Sequence, residues 1–379
     1  MMALMLERFV SPGKGNGLRA TGRIRKGELV ISTEPLACCV SNRLAKEVCH
    51  HCFTRLLWKG NKQAWSGHKR ECKCLQSLLP RLPTDSVCLA ARLIFALVCC
   101  WTFPLFNSVK LNVLKEKHTM KGIVTCNCFT ISDGELQEIG VGLYPSLSLL
   151  NHDCRPNCVM VFEGTKLELR AVRDIDPEDE LTISYIETLS LTEDRQRQLE
   201  EQYHFTCHCQ RCDSRDKDGL MLSGEEGKWR LLKEALPRLE GLKAESNWEM
   251  LLESCRHLLS SVGGEIPEEN LYKLRITDMA LDATVHLGRW EEAMSYGVTT
   301  LPAYRQYYPD PHPVHGIQLM RVGKLQHYLE NIEDALDTFK QAYGIVKFTH
   351  GEDHPLMTEL TMKMKECHSE MDHHSSSRH

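Results

Sequence analysis

Net charge is nearly absent from this sequence: 46 Lys and Arg oppose 51 Asp and Glu over 379 residues, a balance of −5. Such a balance selects no strongly charged partner. Apolar residues at 42% and charged residues at 26% exclude a mainly disordered chain and a collagen-like one. Long apolar runs are scarce too. The one stretch long enough for a bilayer, Val87–Phe106, has 17 apolar residues in 20, but Arg92 sits inside it and Pro104 interrupts its end. It is therefore expected to be a buried core helix, capped at Ser86 and running to about Trp101. Met1–Val10 carries Glu7 and Arg8 and has no apolar core of signal length, so no secretory signal and no membrane attachment are expected.

Cysteine is almost missing from the second half. Of 18 cysteines, 16 lie at or before Cys212, leaving Cys255 and Cys367 beyond it. In a chain that is not exported, clustered cysteines read as metal ligands rather than disulfides, which implies a reducing compartment, cytoplasm and nucleus. Charge divides at the same point. Residues 1–212 hold 27 basic against 23 acidic residues, and residues 213–379 hold 19 against 28, a net −9. At 379 residues, two or three domains are expected.

Beyond Cys212 the pattern is helical. Ala335, Leu336, Phe339, Ala342, Tyr343 and Val346 share one helical face. Leu287, Glu291, Ala293, His312 and Pro313 recur 42 residues later as Leu329, Glu333, Ala335, His354 and Pro355. This period predicts stacked helix pairs of the tetratricopeptide type, a fold that binds partners or walls off a neighbouring site. The first half reads as β-rich: Gly13, Gly15 and Gly17 punctuate the opening, and Glu28–Ser32, Lys166–Val172 and Glu180–Tyr185 read as strands.

Two cysteine sets carry the metal chemistry. Cys207-x-Cys209-x-x-Cys212 places three thiolates in a tight turn, whereas zinc wants four ligands. Cys154, in Asn151-His-Asp-Cys-Arg-Pro-Asn157, is one candidate for the fourth. Cys49, Cys52, His68 and Cys72 have the chemistry of a second, Cys₃His site, with His50, His51 and Cys74 as spare ligands. Around them lie Arg55, Lys59, Lys62, Lys69, Arg70 and Lys73, a basic run that reads first as a solvated face and second as a contact for DNA or an acidic peptide.

Taken in order, Gly15-Asn-Gly-Leu-Arg-Ala20, Asn151–Asn157, Glu180-Leu-Thr-Ile-Ser-Tyr185 and Cys207–Cys212 resemble the SET-domain lysine methyltransferases. Cys49/Cys52 and His68/Cys72, with Trp65, resemble the two ends of a MYND finger inserted early in such a domain. That layout, followed by helical repeats, is similar to the SMYD family, most of all to its third member. The resemblance implies an α+β chain. Residues 1–48 would be the N-terminal segment of the SET domain, 49–74 a degenerate MYND finger, and 75–125 a helical linker and shortened SET insert. The SET core would span 126–191, the post-SET zinc region 192–212 and a TPR-like helical domain 213–379.

It also implies S-adenosylmethionine as donor, a protein lysine as acceptor and Zn²⁺ as structural metal. By the same resemblance Gly15, Asn16, Gly17, Asn127, Asn151, His152, Tyr185 and Phe205 contact the donor. Tyr185 is the catalytic tyrosine, and Phe129 and Tyr203 line the lysine channel. Cys154, Cys207, Cys209 and Cys212 form the post-SET zinc site. Substrates would include histone H3 and signalling kinases, a chaperone or peptide would bind the helical repeats, and the chain would be a monomer. The sequence departs from the family in three places. The central MYND cysteines are missing between Cys52 and Lys62, the SET insert between about Leu97 and Val124 is short, and Glu178 stands where the family usually has a turn glycine. The alternative reading is a catalytically impaired zinc scaffold acting through its helical repeats.

Overall fold

The computed structural model describes residues 6–44, 47–48, 53, 84–99, 127–308 and 311–376. Cys49, Cys52, His68 and Cys72, expected to form a second zinc site, lie outside the described residues, as does the stretch 100–126 expected to hold the shortened insert. The chain divides into two compact units, Met1–Asn151 with Met160–Thr182 and His152–Val159 with Ile183–His379.

The strands, in chain order, are β1 (Leu6–Ser11), β2 (Gly15–Ala20), β3 (Leu29–Thr33), β4 (Ala37–Val40), β5 (Cys128–Ser132), β6 (Glu138–Leu143), β7 (Asn151–His152), β8 (Cys158–Glu163), β9 (Lys166–Ala171) and β10 (Thr182–Ile183). A helix, α1 (Asp85–Cys99), lies between β4 and β5 in the chain. In the first unit β1 and β2 form an antiparallel hairpin that sets Phe9 opposite Gly17. Two three-stranded sheets follow, ordered β3-β9-β8 and β4-β6-β5.

The expected strands appear at nearly the expected places, with one contraction. Glu28–Ser32 is realised as β3 and Lys166–Val172 as β9, entered through Gly164 at φ +62°. Glu180–Tyr185 shortens to Thr182–Ile183 because its backbone bonds go to separate partners: Leu181 N–H donates to Leu18 O, and Ile183 O accepts from Asp153 N–H.

Helix α1 starts earlier than Ser86. The Thr84 carbonyl accepts from the N–H groups of Val87 (2.9 Å) and Cys88 (3.0 Å), so Thr84 holds the cap position and Asp85 occupies the first turn. Leu89 and Leu93, one turn apart, bury against Ala37, Cys39 and Leu143. Arg92 donates to the Cys38 carbonyl, which gives the charge inside this apolar stretch a polar partner. Among the described residues, no helix is long and apolar enough to cross a membrane.

The second unit contains α2 (Thr192–Tyr203), α3 (Gln210–Ser214), α4 (Asp218–Met221), α5 (Glu226–Ala244), α6 (Trp248–Val262), α7 (Leu271–His286), α8 (Trp290–Tyr307), α9 (Pro313–Tyr328), α10 (Ile332–Thr349) and α11 (Pro355–Ser376). The 42-residue period is physical: α7 and α9, α8 and α10, and α9 and α11 each begin 42 residues apart. Each helix-pair turn carries one left-handed residue at the same interval, Ser246 (φ +57°), Gly288 (φ +68°) and Glu330 (φ +62°). After each of them an N–H folds back 2.9 Å to a carbonyl of the preceding helix: Asn247 to Leu242, Arg289 to Thr284 and Asn331 to Gln326. The α5–α6 pair is thus a third copy of the turn. The repeated His-Pro has a mechanical role: the Nδ1 atoms of His312 and His354 accept from the N–H groups of Val314 (3.3 Å) and Leu356 (3.2 Å), while Pro313 and Pro355 open their helices.

Packing between α9 and α10 leaves no room at Gly323. An added Cβ would lie 2.6 Å from Cε1 of Phe339, a side chain with no exposed surface. Gly323→Val is expected to destabilise the chain by about 2–3 kcal/mol in urea unfolding, by overpacking. Gly241→Ala, where a Cβ meets open space on α5, is expected to stabilise it by roughly 0.4–1 kcal/mol.

Candidate active site and metal centre

In the first unit the residues expected to contact the donor at Gly15–Gly17 lie on the β1–β2 hairpin. Gly13 (φ +73°) and Gly15 (φ +81°) turn the chain, and Asn16 and Gly17 follow on β2. Asn16 is exposed, and its side-chain oxygen accepts from Arg8 Nε at 3.2 Å. Gly17 is buried, and a Cβ there would stand 2.7 Å from Glu180 Oε1, 2.9 Å from the Phe9 ring and 3.0 Å from Asn151 Nδ2. Only glycine fits without displacing one of them.

Glu180 is what fills that space. Its Oε1 accepts from Asn151 Nδ2 at 2.7 Å, and its Oε2 accepts from Ser11 Oγ at 3.1 Å and Lys14 Nζ at 3.3 Å. Asn151 Nδ2 also reaches the Asn16 carbonyl at 3.3 Å. Asn16, Gly17 and Asn151 are therefore brought together as expected. Glu180, read in the sequence as the start of a strand and of a family motif but given no role of its own, is the hub between them, and no spacing signal marks a lone carboxylate for that task. Glu178 next to it adopts φ +73°, the left-handed region that glycine usually occupies, and pairs with Arg19. Asn127 stands half-buried just before β5, and Phe129 on β5 meets Tyr144 edge-on at 5.7 Å.

In the second unit Tyr185 is surrounded by aromatic rings. Centroids lie 4.8 Å away for Tyr203, 5.3 Å for His152 and 6.3 Å for Phe205. The left-handed His204 that closes α2 turns the chain between Tyr203 and Phe205. His152 is buried, and both its ring nitrogens are engaged. Nδ1 accepts the Tyr185 backbone N–H at 3.0 Å, which leaves the proton on Nε2, 3.3 Å from Cys154 Sγ. Its side chain is thus an orienting link between Tyr185 and Cys154.

Four sulfurs converge beside it. The Sγ atoms of Cys154, Cys207, Cys209 and Cys212 all lie within 4.8 Å of one another, with Cys154 and Cys212 at 3.6 Å. A tetrahedral Zn²⁺ with bonds of about 2.3 Å separates its sulfurs by about 3.8 Å, so the set fits. A disulfide needs about 2.05 Å, and all four cysteines are free. The backbone holds the donors in place. Gln196 on α2 pairs with Cys207 on both sides, Nε2 to the carbonyl at 2.6 Å and N–H to Oε1 at 2.8 Å. The Cys209 carbonyl accepts from Cys212 N–H at 3.0 Å. Hydrogen bonding among the sulfurs pushes the Cys154 thiol far up and pulls Cys209 far down, the tension of four donors sharing too few charges.

A family profile described as "SET domain" matches residues 15–186. The chain is 39% identical to histone-lysine N-methyltransferase SMYD3 of Homo sapiens, covering 97% of this chain and 98% of that one. It is 29% identical to histone-lysine N-methyltransferase Smyd1 of Mus musculus, covering 95% and 89%. To N-lysine methyltransferase SMYD2 of Gallus gallus it is 28% identical, covering 95% and 97%. The alignment with SMYD3 runs over 422 positions while this chain has 379 residues, so at least 43 of those positions (422 − 379) have no residue of this chain opposite them.

Gly17→Ala is expected to push Glu180 off Asn151 and weaken S-adenosylmethionine binding tenfold or more in calorimetric titration, about 1.4 kcal/mol. Gly134→Ala, where a Cβ meets nothing within 4 Å, should leave the affinity unchanged.

Proposed function

Because this chain belongs to the SMYD family of SET-domain protein-lysine methyltransferases, we propose that its acceptors are lysines of histones, H3 first, and of non-histone proteins such as signalling kinases. The observation that carries this reading is the half-buried Tyr185 ringed by His152, Tyr203 and Phe205, in a chain that aligns almost end to end with such enzymes. S-Adenosylmethionine, when bound, supplies a sulfonium methyl group open to displacement by an amine.

The rest is the work of side chains. An acceptor lysine of pKa about 10.4 is neutral roughly one time in a thousand near pH 7.4, an obstacle of about 4 kcal/mol. Aromatic walls of low polarity, such as Tyr203 and Phe205 beside Tyr185, disfavour the ammonium and lower that obstacle. The Tyr185 hydroxyl holds the amine and aims its lone pair, while His152 fixes the Tyr185 backbone. By the family resemblance Gly15, Asn16, Gly17, Asn127, Asn151, His152, Tyr185 and Phe205 are assigned to the donor, and Phe129 and Tyr203 to the lysine channel. No strong general base is required, because the ammonium proton can leave to water before transfer.

Zinc at Cys154, Cys207, Cys209 and Cys212 has a structural role in this reading, closed by four protein ligands with no open position for chemistry. The net −9 of residues 213–379 favours approach of a basic tail, and the free thiols suit the cytoplasm and nucleus. A second reading, a zinc scaffold that binds partners through α5–α11, is favoured by the family positions this chain lacks.

Transfer of labelled methyl groups from S-adenosylmethionine to histone H3 and kinase substrates decides between the two. Wild-type protein is expected to label both, and Tyr185→Phe to lose about a hundredfold or more in kcat, near 2.7 kcal/mol, with donor affinity retained. Absence of transfer from folded, zinc-loaded protein would leave the scaffold.

A further inference from the structure

Two arginines are buried at the cysteine cluster. Arg195 on α2 is 1% exposed, and its Nη2 donates to Thr192 Oγ1 at 3.0 Å and approaches Cys212 Sγ at 3.7 Å, while Nη1 donates to the Ser190 carbonyl. Arg211 is 5% exposed and comes from the Cys-x-Cys-x-x-Cys turn itself. Its Nε and Nη2 atoms are buried without a hydrogen-bond partner. Burial and the Arg195 guanidinium oppose its charge, whereas Cys154, Asp216 and Cys212 favour it. Asp216 is exposed and screened by water, so among these partners of Arg211 the buried counter-charge is sulfur.

The charge count then closes. A zinc ion with four thiolates carries a net −2, and burying that charge uncompensated is unfavourable. Two guanidiniums carry +2 and cannot deprotonate in a protein. We propose that Arg195 and Arg211 are the charge-compensating partners of the zinc tetrathiolate, so that the centre is a neutral buried unit whose metal retention depends on both. The inference rests on the reading of the cluster as a zinc site and adds to it that the cationic half is built into the fold. Arg195 acts through the sulfur it faces. Arg211, lacking hydrogen bonds at two of its nitrogens, acts through charge.

The metal-free state distinguishes this role from ordinary packing. Removing zinc from wild-type protein lets the thiols take up protons and strands two buried cations. Removing Arg211 as well relieves one of them. A purely structural arginine would instead stabilise both states alike.

The test uses the 379-residue chain and five variants: Arg195→Met, Arg211→Met, the double variant, Arg211→Lys and Cys154→Ser. Zinc content is measured by mass spectrometry, zinc release by transfer to a chromogenic chelator, and melting temperature with zinc and after chelation. Cys154→Ser identifies which zinc belongs to this centre. Each Met variant is expected to release that zinc at least tenfold faster, and the double variant faster than either. Arg211→Lys should retain most of the wild-type rate. Zinc-loaded Arg211→Met should melt lower than wild type, and zinc-free Arg211→Met no lower than zinc-free wild type. Equal melting losses in both states, or unchanged release rates, would overturn the charge-compensating role while leaving the zinc site standing. Wild-type protein without the Cys154-dependent zinc would overturn the zinc reading, and this inference with it.

Discussion

Convergence of four sulfurs is the constraint on which the region around Tyr185 depends. Cys154 and Cys212 are 58 residues apart in sequence, and closing a loop of that size costs chain entropy of about 3–4 kcal/mol. Hydrophobic contact repays little of it here, because the small buried cluster around these cysteines contains only Ile186 and Leu199 as aliphatic members. A structural zinc ion contributes roughly 10–16 kcal/mol in small metal-dependent folds, more than enough to close the loop. Once the sulfurs are placed, their neighbours have little freedom. His152 lies two residues before Cys154, and Phe205 two residues before Cys207. Gln196 clamps Cys207 to α2, whose last residue is Tyr203. Three of the four rings in the aromatic cluster are therefore positioned by bonds to a metal ligand or by one short step from it.

The first unit obtains comparable precision by steric exclusion. Glu180 occupies the volume that a side chain at position 17 would need, and Ser11, Lys14 and Asn151 hold its two oxygens in place. Coordination fixes positions through bond lengths, whereas close packing fixes them through what cannot enter. The two devices adjoin at consecutive residues: Asn151 belongs to the carboxylate hub and His152 to the sulfur cluster. That adjacency gives the Asn-His-x-Cys order a mechanical sense independent of any single contact.

Much of this was legible in the sequence wherever chemistry and spacing coincide. Thiolates at Cys-x-Cys-x-x-Cys must share a turn, and the structure unites them with the Cys154 named as a candidate fourth ligand. The 42-residue period was visible in Ala293/Ala335 and in the His-Pro pairs. The third copy was hidden because a turn needs only one residue able to adopt positive φ: Ser246 stands there in place of Gly288, and Leu251 in place of Ala293. Backbone geometry repeats where side chains have diverged. Glu180 was illegible for another reason. Its role depends on a space left by a glycine more than 160 residues earlier, and pattern along the chain does not encode such a relation. The buried arginines escaped notice likewise, since arginine is usually exposed and only the fold shows which ones are not.

The proposed arginine pair also bears on how the cysteine cluster and the proposed lysine site at Tyr185 can be neighbours. Methyl transfer needs a neutral amine, so whatever favours an ammonium near Tyr185 opposes the reaction. An uncompensated zinc tetrathiolate would do so. Tyr185 is connected through His152 to Cys154 itself. A net −2 at about 10 Å favours a cation by roughly 3 kcal/mol at an effective dielectric near 20, almost doubling the obstacle of deprotonation. The low polarity that helps expel the proton would also carry this field further. With Arg195 and Arg211 as its buried charge partners, the centre would present higher multipoles in place of a net charge, and its influence would fall away quickly with distance. A structural zinc site can then hold the aromatic cluster in place without holding the substrate's proton on.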